Sequence, residues 1–147
     1  MKIIDTIFRA YDIRGIYGEE ITKETAYTIG KSFGSFIQKT GKKDVLVGHD
    51  NRLSSPELSD FLIKGLLKSG VNVIDLGKVT TPMFYYARTL LNKWSGIMIT
   101  ASHNPSNYNG FKISFDEKGN AAGEEIIEFK KFTDEESFLS GVGSYSH

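Results

Sequence analysis

Apolar residues recur along this chain in two rhythms that take turns. Ala26, Ile29, Phe33 and Ile37 fall three or four residues apart, which predicts a helix over 22–39 with Thr22 as its N-cap. Gly30 and Gly34 weaken that helix intrinsically, and close packing against a sheet is the expected compensation. The rhythm then changes. Residues 45–47 (Val-Leu-Val) form a short apolar strand that runs into the polar stretch GHDNRLSSP. Ser55-Pro56 reads as an N-cap followed by proline at the first helical position. The helix it opens runs through Leu58, Phe61, Leu62 and Leu66 and stops at Gly70. VNVIDL (71–76) is the next strand, and Thr81-Pro82 repeats the cap-proline signature before a helix through Tyr85, Tyr86 and Leu90. SGIMIT and NGFKISF give two more strands, and 123–132 a short helix, acidic first and then basic.

Strands that alternate with helices predict an α/β fold: a three-layer α/β/α sandwich around a mixed, mostly parallel sheet. Only nine residues (101–109) separate the last two strands. That is short for a parallel crossover with its helix, so the last strand is expected to be antiparallel. The domain is expected to span residues 1–135. The small, polar residues 136–147 read as a linker or tail. No internal repeat is visible.

Composition narrows the function classes. With 147 residues, 39% of them hydrophobic and 24% charged, the chain can bury a core of its own. Its 18 basic and 18 acidic residues cancel, so no net field draws it to nucleic acid or an anionic membrane. The absence of cysteine excludes disulfides and thiolate zinc sites. No apolar run approaches the roughly 20 residues of a membrane span, and the N-terminus has no signal-peptide core, so a cytoplasmic protein is expected.

In open α/β sheets, ligands gather beyond the C-terminal ends of the parallel strands. Three polar loops fall there: GHDNRLSSP, GKVTTP and ASHNPSNYNG. A fourth polar segment, FRAYDIRG at 8–15, carries two arginines and an acid. Ser102, at the end of an apolar strand, is on spacing alone most simply a turn residue. Its flanks Thr100 and Asn104 are not the glycines of a hydrolase elbow, and the adjacent His103 is badly placed to act as its base. A phosphoryl-accepting serine fits better, because phosphoryl transfer asks for positioning and positive charge rather than a triad. Lys112 can supply that charge: Phe111, Ile113 and Phe115 share one strand face and Lys112 points to the other. Arg14 can supply a guanidinium fork for phosphate oxygens. The plainer readings are a solvated lysine and a surface ion pair between Arg14 and Asp12 or Glu19. Asp50 and Arg52 are expected to pair and brace their own loop. With His49 and His147 as the only other histidines, a multi-histidine metal centre is not expected, and no glycine-rich nucleotide loop is present.

FRAYDIRG, VGHDNRLSSPEL, DLGKVTTPMFYYA and GIMITASHNPSNYNGFKI, in that order, resemble the N-terminal domain of the α-D-phosphohexomutases, in particular the phosphomannomutase/phosphoglucomutase branch. The resemblance covers about residues 7–115. It implies that Ser102 is the phosphoserine, exchanging phosphoryl groups with hexose 1- and 6-phosphates through a bisphosphorylated sugar. It implies magnesium bound through the Ser102 phosphoryl oxygen, and a hexose 1,6-bisphosphate as activator. By the same resemblance Lys112 assists proton transfer or stabilises charge, Arg14 contacts the phosphoserine, and Tyr11, His103 and Asn104 line the substrate site.

The chain also departs from that family. Enzymes of this kind have four domains, and the metal-binding Asp-Gly-Asp-x-Asp loop has no counterpart here. The remaining domains are therefore expected partners, and the chain alone is expected to be inactive. The competing expectation is a standalone module that binds sugar phosphates without catalysis. A third is a structural paralogue with no ligand.

Overall fold

The structure, a computed structural model, describes residue 3 and residues 5–101 and 104–147. A 3₁₀ turn, Asp5–Ile7, leads into β1 (Ile13–Ile16), followed by α1 (Lys23–Gln38), β2 (Asp44–His49), α2 (Ser55–Ser69), β3 (Asn72–Lys78) and α3 (Thr81–Leu91). Then come β4 (Gly96–Ile99), β5 (Tyr108–Ser114), α4 (Glu124–Glu135) and β6 (Tyr145–Ser146). The six strands form one sheet in the order β1-β5-β4-β2-β3-β6. β4, β2, β3 and β6 are mutually parallel; β5 runs antiparallel to β4, and β1 antiparallel to β5. The mixed sheet and the reversed β5 are as expected from the short connection.

Strand alternation sorts the core into two layers. Val45, Val47, Ile97, Ile99, Phe111 and Ile113 face α1, α2 and α4, where Ile29, Phe33, Leu62, Leu66 and Phe129 meet them. Leu46 and Met98, one residue out of phase, face Phe84 of α3 on the other side. Phe33 stacks on Phe115 at 5.3 Å and meets Phe129 edge-on at 6.1 Å. α3 is pinned at its far end by buried Arg88, which donates to the carbonyls of Trp94 (3.1 Å) and Asp116 (2.6 Å).

Four details differ from the sequence reading. The helix glycines serve a helix–helix contact, not a helix–sheet one. A Cβ on Gly30 would sit 2.3 Å from the Leu62 carbonyl oxygen, and one on Gly65 2.1 Å from that of Tyr27. Two backbones touch there, and neither can yield cheaply. Both proline-marked helices also start one residue earlier. The caps are Ser54 and Thr80, and Thr80 Oγ1 accepts from Met83 N at 3.2 Å. The Ser55 hydroxyl is engaged elsewhere, donating to Asp50 Oδ1 at 2.6 Å. Third, part of FRAYDIRG is a strand: with two apolar residues β1 has too little pattern to read, and its pairing with β5 defines it. Fourth, residues read as a tail run along α2 and the edge of β3. Gly141 N donates to the Lys68 carbonyl (2.8 Å), Gly143 N to that of Leu67 (3.0 Å) and Val73 N to that of Ser144 (2.8 Å). Close approach to Val71 requires glycine at 143, where a Cβ would lie 1.7 Å from the Val71 oxygen.

These contacts give a stability prediction. Glycine to alanine inside a helix ordinarily stabilises by up to about 1 kcal/mol. Gly65→Ala is expected to do the reverse, because overpacking against fixed backbone costs roughly 1–3 kcal/mol. Denaturant unfolding of both proteins measures this, and a more stable variant would mean that α1 and α2 do not touch at this point.

Candidate functional site

Because β2 and β4 are parallel, the loops that follow them (50–54 and 100–107) leave the same edge of the sheet, and β5 begins there. The two loops are tied together. Asp50 N donates to the Ile99 carbonyl (3.0 Å), and the Asn109 amide donates to the hydroxyls of Ser54 (2.7 Å) and Ser55 (3.0 Å). Within the second loop Asn104 N bonds the Ala101 carbonyl and Tyr108 N that of Pro105, each at 3.0 Å.

β1 brings the charge. Ile13 points into the core, so alternation turns its neighbours Asp12 and Arg14 to the opposite face, where Lys112 also points. The register pairs Ile13 with Phe111 and Arg14 with Gly110. Gly110 is what allows that approach: a Cβ there would meet the Ile13 carbonyl oxygen at 2.1 Å and Arg14 at 2.7 Å. The result is a small cluster. Asp12, 5% exposed, sits between two cations, with Oδ1 3.6 Å from Arg14 Nε and Oδ2 3.9 Å from Lys112 Nζ. Arg14 Nη1 donates to the side-chain carbonyl of Asn104 at 2.8 Å, which anchors the loop from the front. Arg14 Nε is buried and, among the described residues, has no hydrogen-bond acceptor. Two cations and one buried carboxylate leave one positive charge in excess, suited to an anionic group.

Of the residues proposed from sequence, Arg14, Lys112 and Asn104 therefore come together. Arg14 does pair with Asp12, but inside this cluster and not on the open surface. Tyr11 adjoins it in sequence with its side chain largely in solvent, 68% exposed. Ser102 and His103 lie outside the described residues. Asp50 and Arg52 pair as expected, at 3.3 Å.

Two features had no local signal. One is Asp12, whose importance follows only from the β1–β5 register. The other is a cleft of about 810 Å³ behind the loop, lined by Tyr17, Arg52, Leu53, Glu57, Asn104 and Asn107 among others. The Tyr17 hydroxyl donates to Glu57 at its wall. That bond to a carboxylate, with burial second, raises the Tyr17 phenol above its ordinary pKa.

Magnesium, which the resemblance implies, needs oxygen ligands that these side chains do not offer together. Among the described residues no three His, Cys, Asp or Glu side chains gather into a metal-binding group. Asp12 is closed off by its two cations and Asp50 by Arg52 and Ser55. The described residues do not fit a magnesium site. No helix among them is long and apolar enough to cross a membrane.

Comparison with known proteins gives consistent matches. Residues 5–139 match the family described as phosphoglucomutase/phosphomannomutase, alpha/beta/alpha domain I. The phosphomannomutase/phosphoglucomutase of Pseudomonas aeruginosa is 48% identical over 139 residues, which cover 95% of this chain and 30% of that protein. The phosphoglucomutase of Neisseria meningitidis serogroup B is 44% identical over the same shares of the two chains. A crystal structure of a phosphoglucomutase/phosphomannomutase family protein from Burkholderia thailandensis superposes with a TM-score of 0.90 at 37% identity, over 99% of this chain and 33% of that one. The chain thus spans about a third of the length of the relatives it matches.

Proposed function

Since this chain belongs to the phosphoglucomutase/phosphomannomutase family as an α/β/α domain I, we propose that it supplies the phosphoserine half of a hexose-phosphate mutase site. The observation that carries the reading is the Arg14–Asp12–Lys112 cluster with Arg14 bonded to Asn104, two residues beyond Ser102. A phosphoserine brings about −1.5 to −2 charges, which need cations fixed in advance. Asp12 keeps Arg14 Nε and Lys112 Nζ within ion-pair distance, at 3.6 and 3.9 Å.

In this reading the bond from phosphorus to Ser102 Oγ breaks as a bond to a sugar hydroxyl oxygen forms. The hydroxyl proton replaces the phosphoryl group on Oγ, with Lys112 relaying it or steadying charge on the transferring oxygens. Arg14 orients the phosphoryl group, while Asn104, Tyr11 and His103 line the sugar's path. The sugar then returns its other phosphate to Ser102. Were magnesium to take part, the Ser102 phosphoryl oxygen would be its contact with this chain and its carboxylate ligands would have to come from elsewhere.

The test is incubation of the full-length protein with glucose 1,6-bisphosphate, followed by intact mass and peptide mapping. Gain of one phosphoryl group on Ser102 is expected. Reversible binding without transfer would favour a sugar-phosphate-binding module, and no interaction a structural role. The 147-residue chain alone is expected to convert no glucose 1-phosphate to glucose 6-phosphate in a coupled assay. Measurable turnover there would contradict the dependence on further domains.

A further inference from the structure

Residues 104–108 are held by a side chain from a different part of the chain. Arg52 Nη1 donates to the carbonyls of Pro105 (2.7 Å) and Tyr108 (3.1 Å), and Nη2 to that of Asn104 (2.9 Å). Its Nε faces Asp50 Oδ2 at 3.3 Å, with 14% of the Arg52 side chain exposed. Asp50 is itself fixed: its Oδ1 accepts from Arg52 N (3.1 Å) and Ser55 Oγ (2.6 Å) at the start of α2. A continuous path of bonds therefore runs from the start of α2 through Asp50 and Arg52 to residues 104–108.

We propose that Arg52 is a positioning residue for phosphoryl transfer, one that holds residues 104–108 so that Asn104 meets Arg14; this rests on the mutase reading given above. Three carbonyl oxygens converging on one point repel each other unless a cation with several donors sits among them. A guanidinium supplies those donors in one rigid plane, and its charge strengthens each bond. An ammonium is a point charge with a different donor geometry and cannot reproduce the arrangement. Arg52 does not belong to the cluster that would meet the phosphoryl group. Its effect reaches the chemistry through Asn104, whose main-chain oxygen it holds while Arg14 holds the side chain.

The experiment compares Arg52→Lys and Arg52→Ala with the wild type in the full-length protein that carries these residues. It reads kcat, KM for glucose 1-phosphate, the melting temperature and amide exchange over 104–108. Misplacement of a reacting group by about 1 Å can cost on the order of 100-fold in rate, so kcat is expected to fall by roughly that factor in both variants. KM should stay within about threefold, since Arg52 itself is not placed on the sugar or its phosphate. Exchange over 104–108 should accelerate in the folded variants. The lysine variant keeps a positive charge at the site, so it serves as the test if the alanine protein does not fold. Folded variants with wild-type kcat, or with a KM that rises in step with any loss, would overturn the role of Arg52. An inactive wild-type protein would instead sink the mutase reading, and the positioning role with it.

Discussion

Replacing Ser102 by alanine in the full-length protein is expected to abolish interconversion of hexose 1- and 6-phosphates. The loss should be roughly 10⁴-fold or more, since removal of a nucleophile leaves only the contribution of binding and electrostatics. The substitution deletes one oxygen. The carbonyls that Arg52 grips belong to Asn104, Pro105 and Tyr108, so the loop's anchorage is expected to survive. The melting temperature should therefore barely move, and labelled phosphate from glucose 1,6-bisphosphate should no longer be incorporated. Turnover near the wild-type level would remove Ser102 from the chemistry and leave the cationic cluster without its phosphoryl group.

Lys112→Met should have the next largest effect. A positioned proton-transfer group contributes about 10²–10⁴-fold, and kcat is expected to fall by that much with KM changed far less. This substitution has a structural consequence that Ser102→Ala lacks. Asp12 is almost fully buried and has Arg14 and Lys112 as charge partners, so removing Lys112 leaves its carboxylate held by Arg14 alone. Part of any activity loss would then reflect a loosened β1–β5 edge. The double variant Asp12→Asn/Lys112→Met separates the two. It removes opposite charges together, so stability should recover towards the wild type while turnover stays low. Recovery of turnover along with stability would make Lys112 a structural residue. A rise in KM alone would make it a binding residue.

Where a property depends on neighbours in the chain, reading and structure agree. Helix periodicity placed Ile29, Phe33 and Ile37 in the core, and strand alternation put Lys112 opposite Phe111 and Ile113. Gly70 ends α2 in the left-handed region at φ 105°, as a terminal glycine should. The nine-residue connection correctly implied a reversed strand. Even so, local signals blurred at their ends: the cap positions are Ser54 and Thr80, and Ser55 is engaged instead by Asp50.

By itself, then, the sequence determined the layered α/β architecture, the alternation that faces Lys112 away from the core, and a set of motifs that name Ser102 as the residue to test. The first two rest on sterics and hydrophobic burial within a few residues, which a linear pattern records; the third rests on the resemblance of those motifs to a family. Only the tertiary structure decided that Gly30 meets Gly65, that Asp12 lies between Arg14 and Lys112, and that Arg52 holds a loop more than 50 residues away. Ion pairs and converging hydrogen bonds act over a few ångströms in space whatever the separation along the chain. Their partners are fixed only once the crossovers and the β1–β5 register bring distant residues to the same edge of the sheet.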